Sequence, residues 1–221
     1  MSGAPVSPRL HKGAIVGLDP FNPLASLIIF QYNPETLTRT LTVNAAAQGT
    51  EDQTEILRFA APPTETIAVD IELDATDQLE TGDSIAESLG IHPVLASLEM
   101  LLYPKALSII ANDLLHLAGL REVIPPQAPL ALFVWGIKRV LPVRLSGMNI
   151  VEDFFDPALN PLHAKVHLDM RVLNYRDLGL LSPGGALFMA HQLLKEAMAT
   201  LNGVGTIGGT ASVSVSGSFS L

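Results

Sequence analysis

The stretch from Thr64 to Asp74 alternates apolar and polar residues with a period of two. Ile67, Val69, Ile71 and Leu73 fall on one side; Thr66, Ala68, Asp70 and Glu72 fall on the other. Successive side chains of a strand point to opposite faces, so this pattern demands a strand buried on one face only. Ala164 to Val172 repeats it, with Val166, Leu168, Met170 and Val172 set against Lys165, His167, Asp169 and Arg171. The apolar faces of both strands are expected to line one core.

Shorter strands are expected at Ala14–Leu18, Leu27–Tyr32, Thr36–Val43 and Leu130–Trp135, and Arg139–Phe155 is strand-rich with Gly147 as a bulge or bend. Within Thr36–Val43, Leu37, Leu41 and Val43 share a face opposite four threonines. Turn residues separate these segments at Asp19–Pro23, Asn33-Pro34 and Asp156–Pro161, and Ala45–Gln53 reads as a loop. Between the two groups of strands lies a helical region, Ser84–Leu102 and Ala106–Leu117, broken by Pro104 and stopped by Gly119. Pro125, Pro126 and Pro129 form a stiff connector. A last helix spans Gly185–Leu201, with Leu187, Ala190, Leu194, Ala197 and Leu201 at helical spacing. These elements describe an α+β chain, mainly an antiparallel β-barrel with a helical insertion and a C-terminal helix. The expected organisation is a flexible arm over 1–12, a barrel domain over 13–180 with its insertion at about 84–120, and a helix with a Gly/Ser-rich tail over 181–221.

Composition narrows the function classes. The 221 residues include no cysteine, so disulfides, thiolate metal sites and cysteine nucleophiles are excluded. Only 16% of residues are charged, against roughly 25% in typical soluble domains, and 48% are hydrophobic. A mean hydropathy of +0.35 suggests a membrane or extensive partner contact. The membrane fails: the richest region, His92 to Leu120, is interrupted by Glu99, Pro104, Lys105, Asn112 and Asp113, whereas a spanning helix needs about 20 apolar residues in succession. Met1–Lys12 has no apolar run of the kind a signal peptide needs, so synthesis and folding in the cytoplasm are expected. A net charge of −9 argues against nucleic acid as the main ligand.

No constellation for chemistry emerges. His163 and His167 have metal-ligand spacing for a helix, but on a strand that spacing parts them by about 13 Å. Asp113 and His116 lack a third ligand. Asp70 with Glu72, and Asp74 with Asp77, could be paired acids, but an exposed strand face and an acidic loop explain them more simply. Gly184-Gly185 lacks a phosphate-loop lysine, and Ser146-Gly147 lacks a nucleophile elbow. No catalytic, cofactor or metal site is expected.

Three segments, in order, carry a resemblance. They are Phe30-Gln31-Tyr32-Asn33-Pro34-Glu35; the strand Val69–Leu73 with the acidic Asp74-Ala75-Thr76-Asp77 and an apolar helix; and Pro125-Pro126 through Phe133-Val134-Trp135-Gly136, continuing into Phe154-Phe155-Asp156-Pro157-Ala158-Leu159-Asn160-Pro161-Leu162-His163-Ala164. Over residues 10 to 175 the chain resembles the N-terminal, tail-tube-type domain of contractile injection system tube-initiator (baseplate hub-adaptor) proteins. The family commonly has Gly at position 160 and Arg at 163, where this chain has Asn160 and His163. Relatives often continue into a peptidoglycan-binding LysM domain, which has no counterpart here, so no wall binding is inferred.

The resemblance implies a non-enzymatic baseplate component of a contractile phage tail or injection particle. Six copies would form a ring joining the spike or hub to the inner tube and starting tube assembly, with baseplate wedge or sheath proteins as further contacts. Phe30, Asn33, Pro34, Phe133, Trp135, Gly136, Phe155, Asp156 and Asn160 are its structural or interface candidates, and Asp70, Glu72 and Asp169 are candidates to face a lumen. A tube terminator or assembly factor of the same particle is the alternative, and a particle-associated wall hydrolase a more distant one.

Overall fold

The computed structural model describes residues 12–18, 27–45, 59–117 and 129–208. Seven strands form one antiparallel sheet: β1 (Ala14–Leu18), β2 (Leu27–Ile29), β3 (Leu37–Ala45), β4 (Phe59–Asp74), β5 (Leu130–Val134), β6 (Val140–Phe155) and β7 (Pro161–Val172). Their order across the sheet is β2-β1-β5-β6-β7-β4-β3. The two alternating segments lie side by side, Thr66 opposite Arg171 through Asp74 opposite His163, so their apolar sides fall on one face. Ile67, Val69, Ile71 and Leu73 of β4 and Val166, Leu168, Met170 and Val172 of β7 are all buried there. Burying each such side chain contributes about 1.5–3 kcal/mol.

β6 belongs to both halves of the sheet. Val140–Val143 pair with β5, Val143–Phe155 pair with β7, and the register shifts between Leu145 and Gly147. That irregularity bends the strand where a side chain is absent, as the glycine suggested.

The expected barrel is not closed. Among the described residues, β2 and β3 end the sheet as free edges. Alternation reports that one face is buried; it carries no information on whether the last strand meets the first. β2 offers three residues for pairing, and on β3 the expected apolar face is bare, with Leu41 and Val43 both more than half exposed.

Among the described residues there are six helices: α1 (Thr76–Glu80), α2 (Ser84–Leu89), α3 (His92–Glu99), α4 (Ala106–Leu117), α5 (Tyr175–Leu178) and α6 (Pro183–Gly208). The single helix expected over Ser84–Leu102 is two, and α1 precedes them unannounced by any apolar stripe. The break falls at Gly90, at φ +57, where a Cβ would lie 2.2 Å from the Pro161 carbonyl oxygen. Only glycine accepts both that conformation and that approach. Asp83 starts α2 by accepting a hydrogen bond from the Ile85 amide at 2.9 Å. From α3, Leu95 and Leu98 enter the core with Ile91 and Leu101.

α4 has the expected bounds but no buried residue. α6 is longer than the expected Gly185–Leu201, so the helix runs on into the first part of the Gly-rich tail. The arm before Lys12, the Asp19–Pro23 turn, residues 46–53, Gly119, Pro125, Pro126 and the tail beyond Gly208 lie outside the described residues.

Candidate assembly surface

The candidate residues fall into two groups. In the first, Phe30 and Phe133 are completely buried, with ring centroids 6.5 Å apart. Trp135, half-buried, stacks on Phe133 at 5.8 Å and 18°. Gly13 passes beneath them so closely that a Cβ would meet Phe30 at 2.7 Å and Trp135 at 3.1 Å. The Gly13 amide donates to Asn33 Oδ1 at 2.9 Å, which fixes the Asn33-Pro34 turn against the start of β1. Gly136, at φ +69, lets the chain reverse, and the Trp135 amide donates to the Arg139 carbonyl at 2.7 Å.

The second group is the turn between β6 and β7. Asp156 Oδ1 accepts from the amides of Ala158 at 2.7 Å and Asn160 at 2.8 Å, while Asp156 Oδ2 accepts from Asn160 Nδ2 at 2.8 Å. These bonds, led by the Asn160 side chain, hold the Asp156 carboxyl below its ordinary range. Asn160 also donates to the Ser88 carbonyl, tying the turn to α2. Leu159, at φ +65, and Phe154, at φ +55, take the left-handed conformation, and Asn160 does not. Asn160 is engaged through its side chain, so the turn places the left-handed step one residue earlier. Phe155 is half exposed and pairs with Pro161, so it is a rim residue rather than core.

The opposite face of the sheet carries rows of charge. On β4 and β7, Asp70 sits opposite His167, Glu72 opposite Lys165 and Asp74 opposite His163. His167 Nδ1 lies 2.6 Å from Asp70 and its Nε2 3.5 Å from Asp169. The bond to Asp70, followed by the two carboxylate charges, raises the His167 pKa. His163 Nε2 lies 2.8 Å from Glu72, while its buried Nδ1 has no hydrogen-bond partner among the described residues and lies 3.8 Å from Asp153. Asp74 accepts from the amide and hydroxyl of Thr76, and that hydroxyl bond lowers its pKa. The two histidines thus serve separate carboxylates. Among the described residues no group of three or more His, Asp or Glu side chains is arranged to hold a metal. A shallow depression between Asp70, Glu72, Asn149, Lys165 and His167 has no hydroxyl or thiol in its lining. Asp70, Glu72 and Asp169 point outward from the sheet on this face.

Apolar surface is left uncovered elsewhere. Leu107, Ile110, Leu114 and Leu117 recur along one side of α4, with Leu107 78% and Leu117 84% exposed. The edge strands, at opposite ends of the sheet, expose Leu27 and Ile29 on β2 and Leu41 and Val43 on β3. Isolated exposed leucines are ordinary; a helix with a whole stripe of them marks a contact surface.

No family model matches this chain, and no curated protein matches it. Solved structures do. One is the virion of a native gene transfer agent particle, 10% identical over 72% of this chain and 90% of that one, with a TM-score of 0.32. Another is the tail of an empty gene transfer agent particle with C6 symmetry, again 10% identical over 72% and 90%, with a TM-score of 0.31. At these values the likeness is loose and carries no functional weight. No helix among the described residues is long and apolar enough to cross a membrane.

One cluster escaped the sequence reading. Glu65, on the apolar side of β4, is buried and accepts from Arg39 Nε at 2.7 Å and Lys195 Nζ at 3.3 Å. His191 of α6 is buried nearby. The signal was available: Glu65 has the same parity as Ile67, Val69, Ile71 and Leu73, so the alternation points it inward.

Proposed function

We propose that the chain is a structural, non-enzymatic subunit of a phage-tail-like contractile particle, and that several copies join into a ring on which the inner tube begins. The observation that carries this reading is the open sheet. Among the described residues the seven-stranded antiparallel sheet, with one covered face, ends in β2 and β3, each paired on its inner side only. Unpaired edges template further pairing and are a hazard unless another chain occupies them. Different edges at the two ends make a heterologous contact, and such contacts generate rings when the rotation closes. The bare stripe of α4 supplies the apolar area that a 16% charged chain must bury against partners. The resemblance of the Phe30–Glu35, Val69–Asp77 and Pro125–Ala164 segments to tube-initiator proteins supports a ring of six copies between hub and tube, assembled in the bacterial cytoplasm.

The test is electron microscopy of assembled particles carrying this subunit with a density label, beside particles from a Leu107→Asp/Leu114→Asp variant. Label as a ring at the spike-proximal end of the tube, and loss of tubes in the variant, are expected. Label at the far end would replace the initiator with a terminator. Absence of label from tubes, or normal tubes in the variant, would refute the structural role of this surface.

A further inference from the structure

The tip of the β6–β7 hairpin displays apolar side chains on strained backbone. Phe154 and Leu159 stand at φ +55 and +65, a region costly to any residue with a Cβ. Both are nevertheless turned to solvent, 74% and 76% exposed, and Phe155 beside them is half exposed. The turn is locked from within by the Asp156 and Asn160 bonds. It is locked from outside by the Ile91 amide, which donates to the Pro161 carbonyl at 2.9 Å. The Phe154 ring meets His163 edge-on, with centroids 6.0 Å apart. The tip is therefore a rigid apolar projection, and strain held in place by its surroundings clusters where proteins grip a partner.

The charge around the tip is mainly negative. Glu152 and Asp153 precede it on β6, and Asp156 lies within it. The Asn160–Ser88 bond brings α2 alongside, with Asp83 and Glu87 exposed on it, and His92 is the base that acts on Asp156.

The other end of the same strands is basic. Lys138 and Arg139 occupy the turn before β6, and Arg144 on β6 stands directly opposite Arg171 on β7. Arg176 donates to the Ala60 carbonyl at the start of β4. Asp177 serves Arg171, and Glu65 serves Arg39 and Lys195. Lys138 and Arg144 form no ion pair among the described residues. Like charges directly opposite on neighbouring strands repel, so a carboxylate supplied from outside is favoured here. It cannot be the chain's own acidic end: β6 rises about 30 Å from Arg144 to Asp153. That is several screening lengths at physiological salt.

We propose that the β6–β7 tip docks on the basic end of a second copy, joining copies head to tail along the strands. The apolar tip supplies buried area, and its acidic collar meets Lys138, Arg144 and Arg171. The ring contact runs across the strands and this one runs along them, so neither needs the other.

Sedimentation velocity of the full chain over a concentration series, at low and at high sodium chloride, tests this, with thermal melting as the check on folding. Association that grows with concentration and weakens as salt rises is expected. Arg144→Glu and Glu152→Lys each weaken it about tenfold. An equimolar mixture of the two restores it, because every head-to-tail contact then joins opposite charges. Phe154→Asn/Leu159→Asn lowers association without lowering Tm, since asparagine tolerates the left-handed backbone. Association intact in these variants but lost in Leu107→Asp/Leu114→Asp overturns the tip contact and leaves the ring surface standing. A mixture that fails to restore association also overturns it. A parent that stays monomeric at low salt does so too, and would give the tip to the basic face of a different protein.

Discussion

Phe133→Ala should unfold the chain well before any surface change does. Phe133 is fully buried and touches Phe30 and Trp135, the latter in a stack. Removing a buried phenyl ring costs about 3–5 kcal/mol, because the cavity adds to the lost transfer energy. Each aromatic pair adds about 0.5–1.5 kcal/mol beyond area, so the upper part of that range is expected. At about 2–4 °C per kcal/mol for a chain of this size, the melting point falls by roughly 8–16 °C. The assay is urea unfolding with thermal melting, run beside Ile137→Ala in the adjoining turn, where the side chain is 83% exposed. That control should stay within about 0.5 kcal/mol. Trp135→Ala should fall between the two, and the Phe133/Trp135 double-mutant cycle should return a coupling of about 0.5–1.5 kcal/mol. A Phe133→Ala loss below about 1 kcal/mol would show that the aromatic corner is not a cooperative part of the core.

Gly13→Ala should destabilise, since its methyl would meet the Phe30 ring at 2.7 Å, and Phe30→Leu should recover part of the loss; a neutral Gly13→Ala variant would contradict the contact. Leu159→Gly should gain about 0.5–1 kcal/mol in urea unfolding, the relief of a left-handed leucine less the added freedom of the unfolded chain; a loss would mean the leucine side chain does more than its exposure indicates. Two histidines should act in opposite senses. His191, with its pKa lowered by burial, favours the folded chain when neutral, so its contribution is present above about pH 6.5 and is lost as pH falls through the folded value. His167, with its pKa raised by the Asp70 bond, contributes below about pH 6.5 and loses that contribution as pH rises through its folded value; being exposed, it is the smaller effect. Unfolding measured against pH should therefore show a shallower acid-side loss in His191→Gln and a flatter alkaline side in His167→Gln, and unchanged profiles in both would refute the assignment.

The strands were the legible part of this chain. Period-two alternation located β4 and β7 and named their buried residues, because burial on one face writes directly into sequence. The edges were not legible: nothing in Leu41 or Val43 distinguishes a residue facing its own core from one awaiting another chain. α1 and the break at Gly90 were missed for a related reason, since the approach of Pro161 that requires glycine comes from 71 positions away. Of the candidate residues, Phe30 and Phe133 are buried in the core and Asp156 caps the turn between β6 and β7. Glu65 was overlooked because an inward-facing acid makes sense only once Arg39 and Lys195 are seen beside it.

The order β2-β1-β5-β6-β7-β4-β3 has a consequence for synthesis. The first four strands occupy the two ends of the sheet, and only the last three join them. β4 leaves the ribosome with its apolar row complete and must wait for β7, about a hundred residues later, which at ordinary elongation rates is roughly 5–20 s. During that interval β3 and β4 can form at most a two-stranded hairpin with a naked apolar side, and such hairpins are marginal in water. Nascent chains stalled before Val172 should accordingly be captured by chaperones or degraded, whereas release after β7 should yield a protected sheet at once. The central hairpin acts as a timer: it forbids stepwise folding from the N-terminus and makes commitment a single late event.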